Sequence, residues 1–373
     1  MNNSNKSLNT QAVLAMKSSG YYSKRTAGAK IAIDSTQQLL EKALLEIPKL
    51  PILRMADYGS ADGGTSQEMW CNVISKLRNN NDLREIEILY TDLASNDFST
   101  LFKTMQGMQG NTNLAFQIKF PNVYVHGCGT GFHQKLMSKN SLSLGFSATA
   151  MHYVSEKPCQ IKDHVHMVGA DKSEKDKFRK KALKDWESIL LARSQELIKG
   201  GRFICLNFGI DEKGRYLGNT GGHSMFDKFT FHWKKLMQEG IITTDEFKAA
   251  TFAQYYRTVS EFTEPFNNQS SLIYKSGLRL VTCTTKLTDC PYKLNYQKNK
   301  DKMTKKEFAS SLIPTMRSWS ETVFRTALIG RKEDQISEIG DDIEALEGRR
   351  RTALKEASDS AAEQLMTALV YQR

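Results

Sequence analysis

The sequence predicts an α/β fold built on a mostly parallel sheet, and three observations carry that prediction. Apolar runs rich in β-branched residues alternate with segments of helical period from about residue 30 onward. The first apolar run ends in an acid and a glycine-rich turn, Asp57 to Gly64, and a helical segment follows. Two longer helical stretches, 212–275 and 293–362, interrupt the alternation. Alternating β and α units build a parallel sheet with helices on both faces. Helical insertions then form a cap over the strand ends, where open α/β sheets bind ligands.

Taken in chain order, residues 31–47 have helical periodicity, and 52–58 is a short apolar run bounded by turn residues, as a buried strand requires. Residues 66–77 are helical, and 85–92 alternates and ends on Asp92. Asn96 and Asp97 are capping residue types ahead of a helix over 98–108. Strands follow at 122–125, before glycines 127, 129 and 131, and at 142–146. A basic helix covers 172–198, with Gly200 and Gly201 as its stop and 200–208 as the next strand. Residues 278–287 and 365–371 read as two last strands. The aromatics Phe226, Phe229, Phe231, Trp233, Tyr255 and Tyr256 read mostly as packing of extra helices. The chain thus divides into a disordered tail (1–16), a core (17–211, completed near 276–292 and 364–372) and the cap.

Composition narrows the function classes. The 373 residues can bury a substantial core. No apolar run approaches the roughly 20 residues that cross a bilayer, so no membrane role is expected. Residues 1–11 are polar and lack the basic and apolar regions of a signal peptide. The six cysteines are irregularly spaced with no CxxC pair, which suits reduced thiols in the cytoplasm and no metal site. The net charge of +11 fits nucleic-acid binding or attraction of an acidic small molecule. The basic clusters at 172–184, 298–306 and 349–351 are mixed with acids or lie close to them and read as solvated helix faces. No zinc finger, RNP or KH motif supports nucleic acid as the partner.

Four places carry candidate chemistry. Asp57, Gly59, Ser60 and Gly63 form an acid-glycine turn before a helix N-terminus. Glycines allow close backbone approach, and free N–H groups favour an anion such as a carboxylate. The spacing is neither the three-glycine dinucleotide pattern nor a P-loop, and a purely structural turn is the other reading. Asp92, one βα unit later, can accept both hydroxyls of a ribose, or it is a capping acid. His152 and Tyr153 end the strand at 142–146, where a substrate would sit. His164 and His166 have a metal-like spacing without an evident third ligand and read as surface. No G-x-S-x-G nucleophile elbow is present.

These segments resemble the SABATH family of S-adenosylmethionine-dependent carboxyl and N-methyltransferases. The resemblance spans roughly Lys17 to Gly330 and rests on YYSKRT at 21–26, ADYGSADG at 56–63, TDLASNDF at 91–98, GFHQKL at 131–136, NSL at 140–142, SATAMHYVS at 147–155 and QEGII at 238–242. It implies a Rossmann-like class I methyltransferase sheet with a helical cap and a homodimer. By position it implies a cofactor site of Tyr22, Thr26, Asp57, Ser60, Asp92, Leu93, Gly131, Phe132 and Ser147, with Asp92 on the ribose and Leu93 against the adenine. It implies an acceptor pocket of Lys17, Thr149, His152, Tyr153, Met225, Phe226, Tyr256 and Trp319. Three positions depart from the family pattern: Ala29 stands for a glutamine that contacts the acceptor carboxylate, and Tyr153 and Phe226 stand for tryptophans.

The expected reaction is methyl-ester formation on a small organic acid. A carboxylate is ionised at neutral pH and needs no base, so no catalytic base is named and His152 and Tyr153 position the acceptor. N-methylation of a small heterocycle or amine is the alternative. RNA methylation or binding without catalysis ranks lower.

Overall fold

The computed structural model describes residues 16, 20–219, 224–339 and 364–373. Its central strand β1 (Ile52–Tyr58) lies between β2 (Glu85–Thr91) and β4 (Leu142–Ala148). Outside these lie β3 (Val123–Cys128) and β5 (Leu197–Ile210), and beyond β5 come β8 (Gln364–Gln372) and β7 (Arg279–Thr288). A two-residue β6 (Arg257–Thr258) also pairs with β5. The order β3-β2-β1-β4-β5-β8-β7 is parallel through β5, and β8 runs antiparallel to both neighbours. The chain order reverses between β1 and β4, which opens a crevice at their carboxyl ends.

The helices are α1 (Tyr21–Arg25), α2 (Ala27–Asp34), α3 (Gln37–Glu46), α4 (Gln67–Asn79), α5 (Phe98–Met105), α6 (Phe116–Lys119), α7 (Lys172–Glu196), α8 (Met225–Gln238), α9 (Thr244–Ala249), α10 (Val259–Asn267), α11 (Leu272–Lys275), α12 (Pro291–Lys298) and α13 (Lys305–Ala327). Successive strand side chains point to opposite faces, so β1 feeds two cores. Leu53 and Met55 pack with Trp70 and Ile74 of α4, while Ala56 and Tyr58 pack with Trp186, Ile189 and Leu190 of α7. Every position of β4 is buried, as a strand covered on both faces requires.

Three local expectations change. Residues 31–47 form two helices because the Ser35 and Thr36 hydroxyls donate to the carbonyls of Ala32 and Ile33 and turn the chain. The helix after Asp97 stops at Met105, where Gly107 at φ 69° closes a Schellman turn with Met108 N–H on the Lys103 carbonyl. Gly200 and Gly201 lie inside β5, not at a helix stop. Leu142 pairs with Leu197 and Leu144 with Arg202, so the extra β5 residues form a bulge, and a Cβ on Gly201 would sit 3.0 Å from the Ile198 carbonyl oxygen.

On α7 the side chains of Lys172, Lys175, Lys177, Lys180 and Lys184 are exposed, while its C-terminal half is buried. In the cap, Phe226, Phe229, Trp233, Phe252 and Phe324 belong to the same buried cluster as one sheet face. Phe231 is exposed. Among the described residues no helix is long and apolar enough to cross a membrane.

Candidate active site

The crevice holds two adjoining cavities. The smaller is lined by Gly59 and Ala61 after β1, Asp92 and Leu93 after β2, Gly131, Phe132 and His133 after β3, and Thr149 and Ala150 after β4. Met16, Tyr22 and Tyr153 complete it. The larger, about 1070 Å³ with its mouth included, shares Met16, Tyr22, Thr149 and Tyr153 and is otherwise walled largely by the cap. The four shared residues form the junction.

The small cavity is held by backbone geometry. Gly59 adopts φ 76°, and a Cβ there would meet the Ala150 Cβ at 2.4 Å. Ala61 is also in the left-handed region, at φ 49°. Its N–H donates to Asp92 Oδ2 at 2.7 Å and its carbonyl accepts from Asn96 Nδ2 at 2.8 Å. These two bonds offset a conformation that costs a non-glycine residue about 1–3 kcal/mol. Asp92 Oδ1 accepts from Leu93 N–H at 2.8 Å. A carboxylate has about four acceptor sites, so Asp92 can accept two further hydrogen bonds at the cavity wall. Burial raises its pKa above the ordinary carboxylate value, against the pull of the Ala61 and Leu93 N–H groups.

Asp57 does not reach the wall. Its Oδ2 accepts from Ser66 Oγ at 2.6 Å and Trp70 Nε1 at 2.9 Å, which anchors the first turn of α4 beneath the loop. Burial pushes its pKa up to about 6. Ser60, Gly63 and Ser147 also lie off both walls. Ser60 Oγ donates to the Thr91 carbonyl at 3.3 Å. A Cβ on Gly63 would meet Met105 Cε at 2.5 Å. Ser147 Oγ donates to the Tyr58 carbonyl at 2.8 Å and locks β4 to β1. Asp62, unflagged in the sequence, accepts from Ser23 N–H at 3.0 Å and Gly64 N–H at 3.2 Å, which ties α1 to the loop.

The wall at 131–133 rests on a buried ion pair that the sequence reading missed. Arg193 and Glu196 on α7 are both 0% exposed and joined at 2.7 Å. Arg193 also donates to the carbonyls of Phe132 (2.9 Å) and Gln134 (2.8 Å). Glu196 accepts from the N–H groups of Leu136 (2.5 Å) and Met137 (3.2 Å) and from Tyr58 Oη (2.7 Å). The Arg193 guanidinium lies over the Tyr58 ring at 4.1 Å. Cation, anion and ring therefore fix the loop on which Gly131, Phe132 and His133 sit.

At the junction Thr149, a β-branched residue, adopts φ 53° with its N–H on the Leu206 carbonyl, a strained backbone of the kind that marks functional sites. Its Oγ1 is 3.4 Å from Tyr22 Oη. Burial raises the pKa values of Tyr22 and Tyr153, so both phenols stay protonated and can donate. His152, 2% exposed, sits among the rings of Tyr153, Phe208 and Tyr256, with Nδ1 3.1 Å from Asn207 Oδ1. Burial drives its pKa down to about 3, so the ring is neutral and Nδ1–H donates to Asn207.

On the larger cavity the structure places Thr26, His152, Met225, Tyr256 and Trp319. Thr26, expected beside the cofactor, faces this cavity instead because its hydroxyl turns back to the Tyr22 carbonyl at the end of α1. Phe226 is off the wall, fully buried and stacked on His166 at 3.8 Å. His164 and His166 are therefore not surface residues. His164 spans the His166 carbonyl and Asp227, and His166 Nδ1 accepts from Val168 N–H. Lys17 and residues 1–15 of the tail lie outside the described residues. Sequence reading also missed Leu312, Thr315 and Met316, which share one face of α13 with Trp319. Their i, i+3, i+4, i+7 spacing was the available signal. Lys228, one turn beyond Met225 on α8, was signalled in the same way. Among the described residues no group of three or more His, Cys, Asp or Glu side chains could hold a metal ion.

The small cavity fits an adenosine-type ligand: it lies at the switch point, presents an acid with free acceptor capacity, and is closed by a glycine whose Cβ would fill space. A family model described as SAM dependent carboxyl methyltransferase matches residues 15–350. The loganic acid O-methyltransferase of Catharanthus roseus is 22% identical over 262 residues, 64% of this chain and 67% of that protein. Methyltransferase FUS9 of Gibberella fujikuroi is 28% identical over 252 residues, 66% of this chain and 65% of that protein. These alignments thus span about two thirds of the relatives' own length. A solved structure of loganic acid methyltransferase with SAH has the same fold, with TM-score 0.74 at 18% identity over 96% of this chain and 98% of that one.

Proposed function

Because this chain belongs to the S-adenosylmethionine-dependent carboxyl methyltransferase family, we propose that it methylates the carboxylate of a small, largely apolar organic acid and releases the methyl ester. The observation that carries this reading is the junction, where two protonated phenols and a hydroxyl separate an adenosine-type cavity from a large, mostly apolar one. When bound, S-adenosylmethionine supplies an electrophilic methyl group on a sulfonium, which leaves as a neutral thioether.

In this reading Asp92 holds the ribose hydroxyls, Leu93 and Phe132 cover the base, and Gly59 leaves room for the chain that follows. Asp57, Ser60, Gly63 and Ser147 act from behind by fixing the loop and strand ends. Residues 17–211, with β7 and β8, make the cofactor half. The described parts of the segments 212–275 and 293–362 make the acceptor half, joined by Cys290, Pro291 and Tyr292; residues 220–223 and 340–362 of those segments lie outside the described residues.

Tyr22, Thr149 and Tyr153 offer neutral donors to the acceptor carboxylate. Neutral donors orient an anion while quenching its nucleophilicity less than a direct cation would. Fixing the reacting oxygen near the methyl in a water-poor site supplies most of the rate. No base is required, and His152 with a pKa of about 3 is too weak to deprotonate an ammonium group at pH 7. That favours O- over N-methylation. The free state of all six cysteines supports the cytoplasmic reading, and a homodimer belongs to the proposal.

The test is incubation with trideuteromethyl-labelled cofactor and a panel of acids and amines, read by mass spectrometry before and after mild base. A labelled product that loses its methyl group in base is expected; a base-stable methylamine overturns the reading.

A further inference from the structure

We propose that Arg257 is a positioning residue for the acceptor: from behind the wall it fixes the segment that carries His152 and Tyr153 and supplies positive charge toward the carboxylate bound at the junction. This rests on the carboxyl-methylation reading above. Arg257, in β6, is 0% exposed. Its Nη1 donates to the Met151 carbonyl at 2.9 Å, and its Nη2 to the Ala182 carbonyl of α7 at 2.7 Å. The segment after β4 is thereby held to α7. The same segment is tied to the residues before β6, with Val154 N–H on the Ala253 carbonyl at 2.9 Å and Tyr255 N–H on the His152 carbonyl at 2.8 Å.

The charge has no carboxylate of its own. Among the described residues Arg257 makes no ion pair, and its Nε is buried without a hydrogen-bond partner. The two buried acids near it are each matched by another cation: Asp185 by Lys181 at 3.1 Å and Glu261 by Arg179 at 2.9 Å. The guanidinium lies instead over the rings of Trp186 (5.3 Å) and Phe262 (5.9 Å). Burial lowers its pKa, opposed by Asp185, yet a guanidinium stays protonated in a folded protein. Arginine is almost never fully buried unless paired, and little water screens such a charge. Its field reaches both cavities. Burial is the largest cause that lowers the pKa of His152, on the larger one, and of His133, on the smaller one, and the Arg257 charge adds to it in each.

A carboxylate at the junction supplies the anion that Arg257 lacks, without touching it. A cation in contact would quench the attacking oxygen; one behind the wall attracts the anion and leaves its lone pairs to the neutral donors and the methyl group. Esterification cancels the acceptor's charge with no proton transferred, so the ester loses this attraction. The attraction is made in the bound ground state, and its removal therefore shows in KM more than in kcat.

Calorimetry on the full chain saturated with S-adenosylhomocysteine, which carries no sulfonium charge, compares octanoate with its neutral isostere octanamide. The wild type is expected to bind octanoate more tightly, and to keep that preference from about 0.05 to about 0.5 M salt, because a buried charge is screened far less than an exposed one. Arg257→Gln is expected to weaken octanoate about tenfold while leaving octanamide within about twofold; Arg257→Lys keeps the preference. In turnover Arg257→Gln should raise the KM for octanoate about tenfold with kcat within about threefold. A merely structural role weakens both ligands alike, and that result overturns the proposal, as does an unchanged octanoate affinity in Arg257→Gln. A wild type that binds the two ligands alike, or a preference that salt abolishes, overturns it too, and these two readings stand even where Arg257→Gln fails to fold. All four results leave carboxyl methylation intact; failure to esterify any acid on the wider panel overturns both.

Discussion

Ala61 and Asp92 join two walls of the smaller cavity: the Ala61 N–H, after β1, donates to Asp92 Oδ2, after β2, at 2.7 Å. Asn96 completes the clamp from α5's leading turn by donating to the Ala61 carbonyl. The glycine loop and the acid are therefore one device. The loop's left-handed residue fixes the carboxylate, and the carboxylate fixes the loop.

Asp92→Ala removes the clamp and, with it, the acceptor proposed for a ribose. Two hydrogen bonds to a charged group contribute about 1.5–3 kcal/mol each, so S-adenosylhomocysteine affinity should fall at least about 100-fold by calorimetry. Affinity within a factor of two of the wild type would remove Asp92 from the site.

Arg193→Met leaves Glu196 buried without its cation. Breaking a buried pair on one side costs about 3–5 kcal/mol, and urea unfolding should show a loss in that range. The double variant Arg193→Met/Glu196→Leu should recover part of it. Recovery is incomplete because Leu136 N–H, Met137 N–H and Tyr58 Oη still lose their acceptor. A single-variant loss below about 1 kcal/mol would mean that the pair is not what fixes the 131–137 loop.

Asp57 makes stability depend on pH in an unusual direction. Its folded pKa, about 6, lies above its unfolded value, so between roughly pH 4 and 6 the folded state binds more protons than the unfolded state. Its contribution is full below that window and is lost as pH rises through it, by an amount on the order of 2–3 kcal/mol. Asp57→Asn lacks this titration. The stability of the variant relative to wild type should rise between pH 4 and 6 and then level off. A relative stability that is flat or falls over that range would contradict the buried acid.

His152 stays neutral across the working range. Ester formation at saturating acceptor should be level from pH 6.5 to 8.5, with no imidazole inflection. An inflection near pH 7 that disappears in His152→Gln would show that the ring titrates during turnover, against its burial beside Asn207.

The sheet and the small cavity were largely legible in the sequence, because both rest on local signals. Strand period, the turn glycines and the capping Asp97 act over a few residues, and Gly59, Asp92, Leu93, Gly131 and Phe132 all reach the wall. Asp57 was misplaced because an acid at a strand end reads the same whether it faces a ligand or, as here, the indole of Trp70 thirteen residues on. Arg193 and Glu196 were hidden in a basic helix, since charge composition does not reveal which turn is buried under β1. Phe226 and His166 conceal each other by stacking, a pairing between distant segments with no local trace.

The most direct test is a crystal structure of the protein with S-adenosylhomocysteine. The account predicts ribose hydroxyls on Asp92, the base against Leu93 and Phe132, and the sulfur directed at Tyr22, Thr149 and Tyr153. Ligand density in the larger cavity against Trp319 and Met316, with the Asp92 side empty, would contradict it.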